Sequence, residues 1–256
     1  MVFSNNSDRE WRTIGATNPY FGVLSHRKFL NENLNDDLMR EFFVSGERDV
    51  ERVYGVIRAG VQSHFQPARV LDYGCGVGRL VVPFAQRSQT VVGVDVSPGM
   101  LEQARENCKR FGVSARLLHV SELDSLAPGS FDLVHSLIVF QHIPVARGEA
   151  ILRKLIALLD EGGVGAIHLT YSDTHSRFRR GVLALRKRVN LVHNLANLAQ
   201  HRPFSSPLMQ MNCYSMNRIF DILMEGHCSN LHVDFADHNG HHGALLYFQK
   251  SLTRLH

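Results

Sequence analysis

Val70-Leu71-Asp72-Tyr73-Gly74-Cys75-Gly76-Val77-Gly78-Arg79-Leu80 stands a short step ahead of Val91-Val92-Gly93-Val94-Asp95. Both blocks carry apolar, largely β-branched runs, the composition of strands buried on both faces. After the first run come three glycines spaced Gly-x-Gly-x-Gly. Lacking Cβ atoms, they let the chain reverse sharply and bring main chain against a ligand. The second block closes on a carboxylate. The pattern predicts a strand over 69–73, a crossover helix opening near 77 and a second strand over 90–94. Strand, glycine turn, helix, strand and acidic residue in that order make the nucleotide-binding half of a Rossmann-like sheet.

The details of the turn select among ligands. Dinucleotide sites favour Gly-x-Gly-x-x-Gly and place a pyrophosphate on the helix N-terminus. Here Asp72 precedes the glycines, and its charge would repel a pyrophosphate while attracting an ammonium or sulfonium group. S-adenosyl-L-methionine carries both cations and has no phosphate. Asp95 lies about 20 residues beyond the loop, at the spacing of an acid that accepts hydrogen bonds from ribose hydroxyls.

The segments LDYGCGVGRL at 71–80, VVGVDVSPGMLEQAR at 91–105, FDLVHSLIVFQHIP at 131–144 and LLDEGGVGAIHL at 158–169 resemble the class I S-adenosylmethionine-dependent methyltransferases. The resemblance is good over roughly residues 50–170, looser in the C-terminal third and absent from the first forty residues. It implies a seven-stranded, mostly parallel sheet with helices on both faces and an antiparallel last strand. It also implies that Asp72, Gly74, Cys75 and Gly76 cradle the methionine part, that Asp95 holds the ribose, and that Val96 and Met100 pack near the adenine. Leu137 and Gln141 fall among the expected cofactor contacts. Members of the family often carry an aspartate for the adenine amino group at the end of the third strand. This chain has Val120-Ser121-Glu122 there, so Ser121 or Glu122 is the expected substitute, with a backbone group as the alternative.

Outward from this centre, the pattern predicts a helix over 49–64. Ser97 and Pro98 cap a helix running to 111 that stops at Gly112. Strands are expected over 115–120, 131–136 and 164–170, with a helix over 144–159. A closing pair of strands, 231–236 and 244–250, is joined by the turn 237–243. Residues 1–48 read as a helical extension, either packed on the sheet edge or closing over the site as a lid. Residues 49–256 read as the methyltransferase domain. Within it, 171–213 is a helical insertion with Arg177, Arg179, Arg180, Arg186, Lys187 and Arg188 interleaved with apolar residues. That basic amphipathic pattern suits a solvated face, a lid for anionic groups, or contact with anionic lipid.

Composition narrows the class. The 256 residues carry 28 basic and 24 acidic side chains, a net charge of +4, too mild to imply nucleic acid. The four cysteines, Cys75, Cys108, Cys213 and Cys228, lack zinc-ligand spacing and read as reduced thiols. No signal-peptide pattern opens the chain, and no apolar run reaches the ~18 residues of a membrane span. The expectation is a cytoplasmic protein, at most peripheral to a membrane surface.

Chemistry is expected where the fourth strand ends. Methyl transfer to a hydroxyl needs alignment and a proton acceptor. His142 is the first candidate, since imidazole titrates near neutrality; the alternative is that it orients the turn before Pro144. His135, inside the strand, reads as a packed or satisfied histidine. His238 and His241, in the histidine-rich turn, are the second candidates. That turn also admits a metal or a plain solvated loop, and no metal ligand is assigned. The segment 136–140 lacks the polar pair with which amino-methyltransferases of nucleic acids hold a base. The expected activity is transfer of a methyl group to a small-molecule or sugar acceptor, anionic or lipid-linked, most simply on oxygen. An N-methyltransferase, an NAD-dependent oxidoreductase and a non-catalytic S-adenosylmethionine-binding module are the rivals.

Overall fold

The computed structural model describes residues 7–174, 210–237 and 240–251. A seven-stranded sheet runs through it: β1 (Arg69–Tyr73), β2 (Thr90–Asp95), β3 (Arg116–His119), β4 (Phe131–Ser136), β5 (Leu159–Asp173), β6 (Cys228–Asp237) and β7 (His241–Lys250). The strand order is β3-β2-β1-β4-β5-β7-β6. Pairings from β3 to β5 are parallel, and β7 runs antiparallel to both β5 and β6. Strand order reverses between β1 and β4, so the crevice for a ligand opens beyond their carboxyl ends.

The two faces of the sheet explain the apolar runs. Val70, Leu133, Val164 and Tyr247 look toward α3 (Asp36–Gly60) and α4 (Val81–Ala85). Leu71, Val134, Ile167 and Phe248 look toward α6 (Val145–Leu158) and α7 (Met216–Glu225). Between β2 and β3, α5 (Pro98–Arg110) starts as expected, with the Ser97 hydroxyl accepting from the Met100 amide.

Several boundaries differ from the sequence-based expectation. The helix expected to open at 49 is the second half of α3, which crosses the 48/49 boundary unbroken. Its buried stripe, Met39, Phe42, Phe43, Val50, Val53, Tyr54 and Ile57, keeps helical spacing throughout. Its start is set by Asn35, whose side chain accepts from the Leu38 amide. The first crossover helix is only the short α4, starting at Val81 rather than near 77. β3 ends at His119, where a 3₁₀ helix, Val120–Ser125, takes over. β5, β6 and β7 are longer than expected, so His241 and His242 belong to β7 rather than to the turn.

The N-terminal segment folds as α1 (Ser7–Thr17) and α2 (Pro19–Val23). It lies across the carboxyl end of the sheet, against the start of α5. The crossing is close: a Cβ on Gly15 would stand 2.0 Å from the Ser97 hydroxyl, and one on Gly99 2.6 Å from the Gly15 carbonyl.

Candidate functional site

The glycine loop leaves β1 with Gly74 and Gly76 at φ 80° and 53°, in the left-handed region that favours glycine. The Gly74 and Cys75 amides donate to the Val94 carbonyl at 2.7 and 3.0 Å, tying the loop to β2. Space is a second reason for glycine. A Cβ on Gly74 would come within 2.3 Å of Val139, and one on Gly76 within 2.6 Å of Val23. Cys75 contributes its backbone to the loop. Its side chain turns into the core, where burial pushes the thiol well up from its ordinary value and keeps it unreactive.

Asp95 closes β2 and braces the loop from the other side. Its Oδ2 accepts from the Gly76 amide at 2.9 Å and its Oδ1 from the Ser97 amide at 2.8 Å. Burial nevertheless pushes its carboxyl up to about 6, against these bonds. Asp72 is buried and meets His135 on β4, Oδ1 to Nδ1 at 2.8 Å. Two carboxylates on either side of the glycine loop suit a cationic ligand with ribose hydroxyls and disfavour a pyrophosphate.

Ser121 and Glu122, the residues expected at the adenine, are exposed in the 3₁₀ helix after β3 and make capping contacts there. Glu122 accepts from the His119 amide at 3.0 Å, and the Ser121 hydroxyl meets His119 Nδ1 at 2.8 Å. The residue that reaches Val96 is His119, whose Nε2 lies 3.2 Å from the Val96 carbonyl. Met100 is buried, with Gly15 and Gly22 of the N-terminal segment packed on its side chain.

Beyond β4 the chain turns through Leu137 and Ile138. A β-branched residue at φ 60° is unusual, and strain of this kind, about 1–3 kcal/mol, concentrates at functional turns. Val139, next in the chain, lies over Gly74. Gln141 and His142 follow, both buried. His142 Nδ1 faces the Gln210 carbonyl at 2.7 Å and its Nε2 the Gln141 amide nitrogen at 3.2 Å. Gln141 Oε1 accepts from the Thr170 hydroxyl at 2.9 Å. With the carbonyl fixing the proton on Nδ1, Nε2 is the basic atom. Burial lowers the imidazole to about 4, so it is neutral through the physiological range.

This loop is strapped from both sides. Asn212 and Tyr214 bond to the carbonyls of Phe140, Gln141 and Ile143. From α1, the Ser7 hydroxyl donates to the His142 carbonyl, Trp11 lies 4.8 Å from the imidazole between ring centroids, and Asp8 takes both terminal nitrogens of Arg147. His119, Thr170 and Gln210 carry no sequence signal for this site, and Trp11 is marked only as part of the N-terminal extension. Trp11 had one available signal, as the only tryptophan of the chain. The others are placed by tertiary contacts alone.

The second histidine cluster is not brought to this centre by any contact described. His241, half-buried on β7, stands 4.0 Å from Asp173, and His242 lies 6.2 Å from the Tyr171 ring. His238 lies outside the described residues, as does the basic stretch 177–188. Among the described residues no three His, Cys, Asp or Glu side chains gather as metal ligands. No described helix is long and apolar enough to cross a membrane.

Comparison with known proteins agrees with this geometry. Residues 70–163 match the family model of a methyltransferase domain. The chain is similar to the ubiquinone biosynthesis O-methyltransferase of Xanthomonas euvesicatoria pv. vesicatoria (strain 85-10), 37% identical over 98 residues, which cover 38% of this chain and 40% of that one. It is also similar to the aklanonic acid methyltransferase of Streptomyces sp. (strain C5), 38% identical over 102 residues, covering 37% and 44%. The chain thus spans less than half the length of these curated relatives. Among solved structures, the magnesium protoporphyrin IX methyltransferase of Synechocystis PCC 6803 with bound SAH superposes with a TM-score of 0.62. It is 19% identical and covers 96% of this chain and 100% of that one. At that identity the likeness is one of fold.

Proposed function

We propose that the chain, whose residues 70–163 match a methyltransferase domain, is an S-adenosylmethionine-dependent methyltransferase of the class I type that methylates an acidic hydroxyl, such as a phenol, on a small-molecule acceptor. The observation that carries the reading is the pairing of two half-sites at the strand-order reversal. Asp72, the glycine loop and Asp95 lie on one side, and a neutral imidazole with a basic Nε2 on the other.

The residues fit the cofactor. Gly74 and Gly76 form a cradle that side chains would fill, and the flanking acids match its cations and hydroxyls. In this reading Asp95 accepts from the ribose hydroxyls, Asp72 faces the ammonium group, and Val96 and Met100 border the adenine. S-adenosylmethionine supplies a methyl group already activated on a sulfonium, which is a good leaving group. What remains for the chain is to align the acceptor oxygen and accept its proton. His142 Nε2 takes that proton as the new oxygen–carbon bond forms and the carbon–sulfur bond breaks.

The environment of His142 refines the acceptor. An imidazole lowered to about 4 is a weak base. A phenol near ~10 is within its reach during transfer, whereas an alkyl or sugar hydroxyl, closer to water's ~15.7, adds several units at about 1.4 kcal/mol each. The relatives named for ubiquinone biosynthesis and O-methylation support the oxygen reading. Calorimetry with S-adenosylhomocysteine and with NADH, on wild type and Asp95→Ala, tests the cofactor. Binding of S-adenosylhomocysteine that the substitution weakens strongly is the expected result, and binding of NADH alone overturns it. Mass-spectrometric methyl transfer to phenols but not to sugars tests the acceptor.

A further inference from the structure

The pair formed by Asp72 and His135 is unusual chemistry for the middle of a sheet. The two residues are register partners on β1 and β4. Their side chains are almost wholly enclosed, 4% and 1% exposed, and joined by the 2.8 Å contact. On the other side of His135 the register partner is Ala166, which brings no polar group. The imidazole lies edge-on to Phe84, 5.3 Å between centroids. Its Nε2 is buried and has no hydrogen-bond partner among the described residues.

This geometry decides the protonation pattern. Nδ1 faces a carboxylate, so it carries the proton and donates it. A second proton on Nε2 would be an N–H buried against Phe84 with nothing to receive it, an arrangement that buried donors avoid. The contact therefore sets the Nδ1 N–H of His135 as a fixed donor to Asp72 Oδ1 and fixes which way that carboxyl group faces.

Resting on the cofactor reading above, we propose that His135 is a positioning residue that holds the Asp72 carboxyl group aimed at the ammonium end of the cofactor. It touches no substrate in this scheme and acts only through Asp72. Its consequence is selective. The amino-acid part of the ligand depends on His135, and the nucleoside part, held at Asp95, does not.

The test uses two probes that share the nucleoside. S-adenosylhomocysteine has the amino-acid part, and 5′-methylthioadenosine lacks it. Calorimetry is run with both on the whole chain as wild type, His135→Leu and His135→Asn. The expected result for His135→Leu is about tenfold or greater weakening of S-adenosylhomocysteine, the scale of one hydrogen bond to a charged group. Binding of 5′-methylthioadenosine should stay within about twofold. His135→Asn keeps an N–H donor on a short side chain and should recover part of the loss. His135→Phe, close to imidazole in size, carries the same test if His135→Leu does not fold. Equal weakening of both probes would show a merely structural histidine and overturn the proposal, as would no weakening of either. Wild type that binds neither probe sinks the cofactor reading itself, which separates the two failures.

Discussion

The proposed cofactor half and the proposed acceptor half of this site are built in different ways. On the cofactor side, the glycine loop and Asp95 come from adjacent elements and are tied by backbone amides of their own neighbourhood, and Asp72 alone leans on a distant side chain, His135 of β4. On the acceptor side, His142 is set by Gln210, Thr170 through Gln141, and α1. Those partners lie far away in sequence and share no motif. One half is made mostly of main chain and local geometry, with His135 as its one long-range support, the other of side chains assembled by packing. The first should therefore depend on few distant residues, and the second on many.

The largest expected effect tests whether the acceptor half is chemical at all. His142→Gln removes the basic nitrogen while keeping a side chain able to bond. A general base contributes about 10²–10⁴-fold, so kcat should fall by that order while S-adenosylhomocysteine binds within a few-fold of wild type. A fall of less than tenfold would reduce the acceptor half to positioning. The matching change on the other side, Asp95→Ala, should leave the chemical step alone and weaken the cofactor by roughly 100-fold, the loss of about two charge-assisted bonds partly offset by solvent. Calorimetry reads this directly. A weakening of under fivefold would mean that the ribose is held elsewhere.

Acidity separates the halves without mutation. Free Asp95 titrates at about 6, and hydroxyls donating to its carboxylate favour the charged form, lowering that value in the complex. Affinity for S-adenosylhomocysteine should thus be flat above pH 6 and fall below it, approaching tenfold per unit. His142, lowered to about 4, keeps its lone pair throughout that window. The Michaelis constant for the cofactor should rise below pH 6, while kcat at saturating cofactor holds until about pH 5. Both parameters falling together from pH 6 would argue that one group governs both halves.

The same contrast explains what could be read in the sequence. The glycine turn between β1 and β2 was legible because a turn of this kind needs glycine at fixed places, and strands impose a short spacing between Asp72 and Asp95. The sheet followed from the same runs, with the antiparallel close announced by the turn at 237–243. The capping contacts of Ser121 and Glu122, and the reach of His119 to the Val96 carbonyl, depend on the 3₁₀ helix after β3, which the strand pattern does not announce. Thr170 and Gln210 carry no local signature, and Trp11 only that of being the single tryptophan. The unbroken α3 was hidden for another reason: its stripe is continuous, but the resemblance to a known domain began inside it and suggested a boundary.

The smallest expected effects ask what holds α1 to the acceptor half. Two kinds of contact compete: the ion pair of Asp8 with Arg147, and the apolar seat of Ile14 against Gly22 beside Met100. The ion pair is partly exposed, with the Arg147 side chain 45% accessible, and pairs of that kind contribute about 0–1 kcal/mol. Ile14 is buried, and truncating a buried isoleucine to alanine costs ~2–5 kcal/mol, toward the low end where a helix can shift to fill the gap. Ile14→Ala should therefore release α1, while Arg147→Met should leave it seated. Trp11 is the only tryptophan of the chain and rests on His142, so its emission reports the seating without a label. A red shift in Ile14→Ala with an unchanged spectrum in Arg147→Met is the expected pattern. The reverse would make the electrostatic clasp the dominant contact. The acceptor half would then be sensitive to salt, since screening weakens an exposed pair and leaves apolar packing intact.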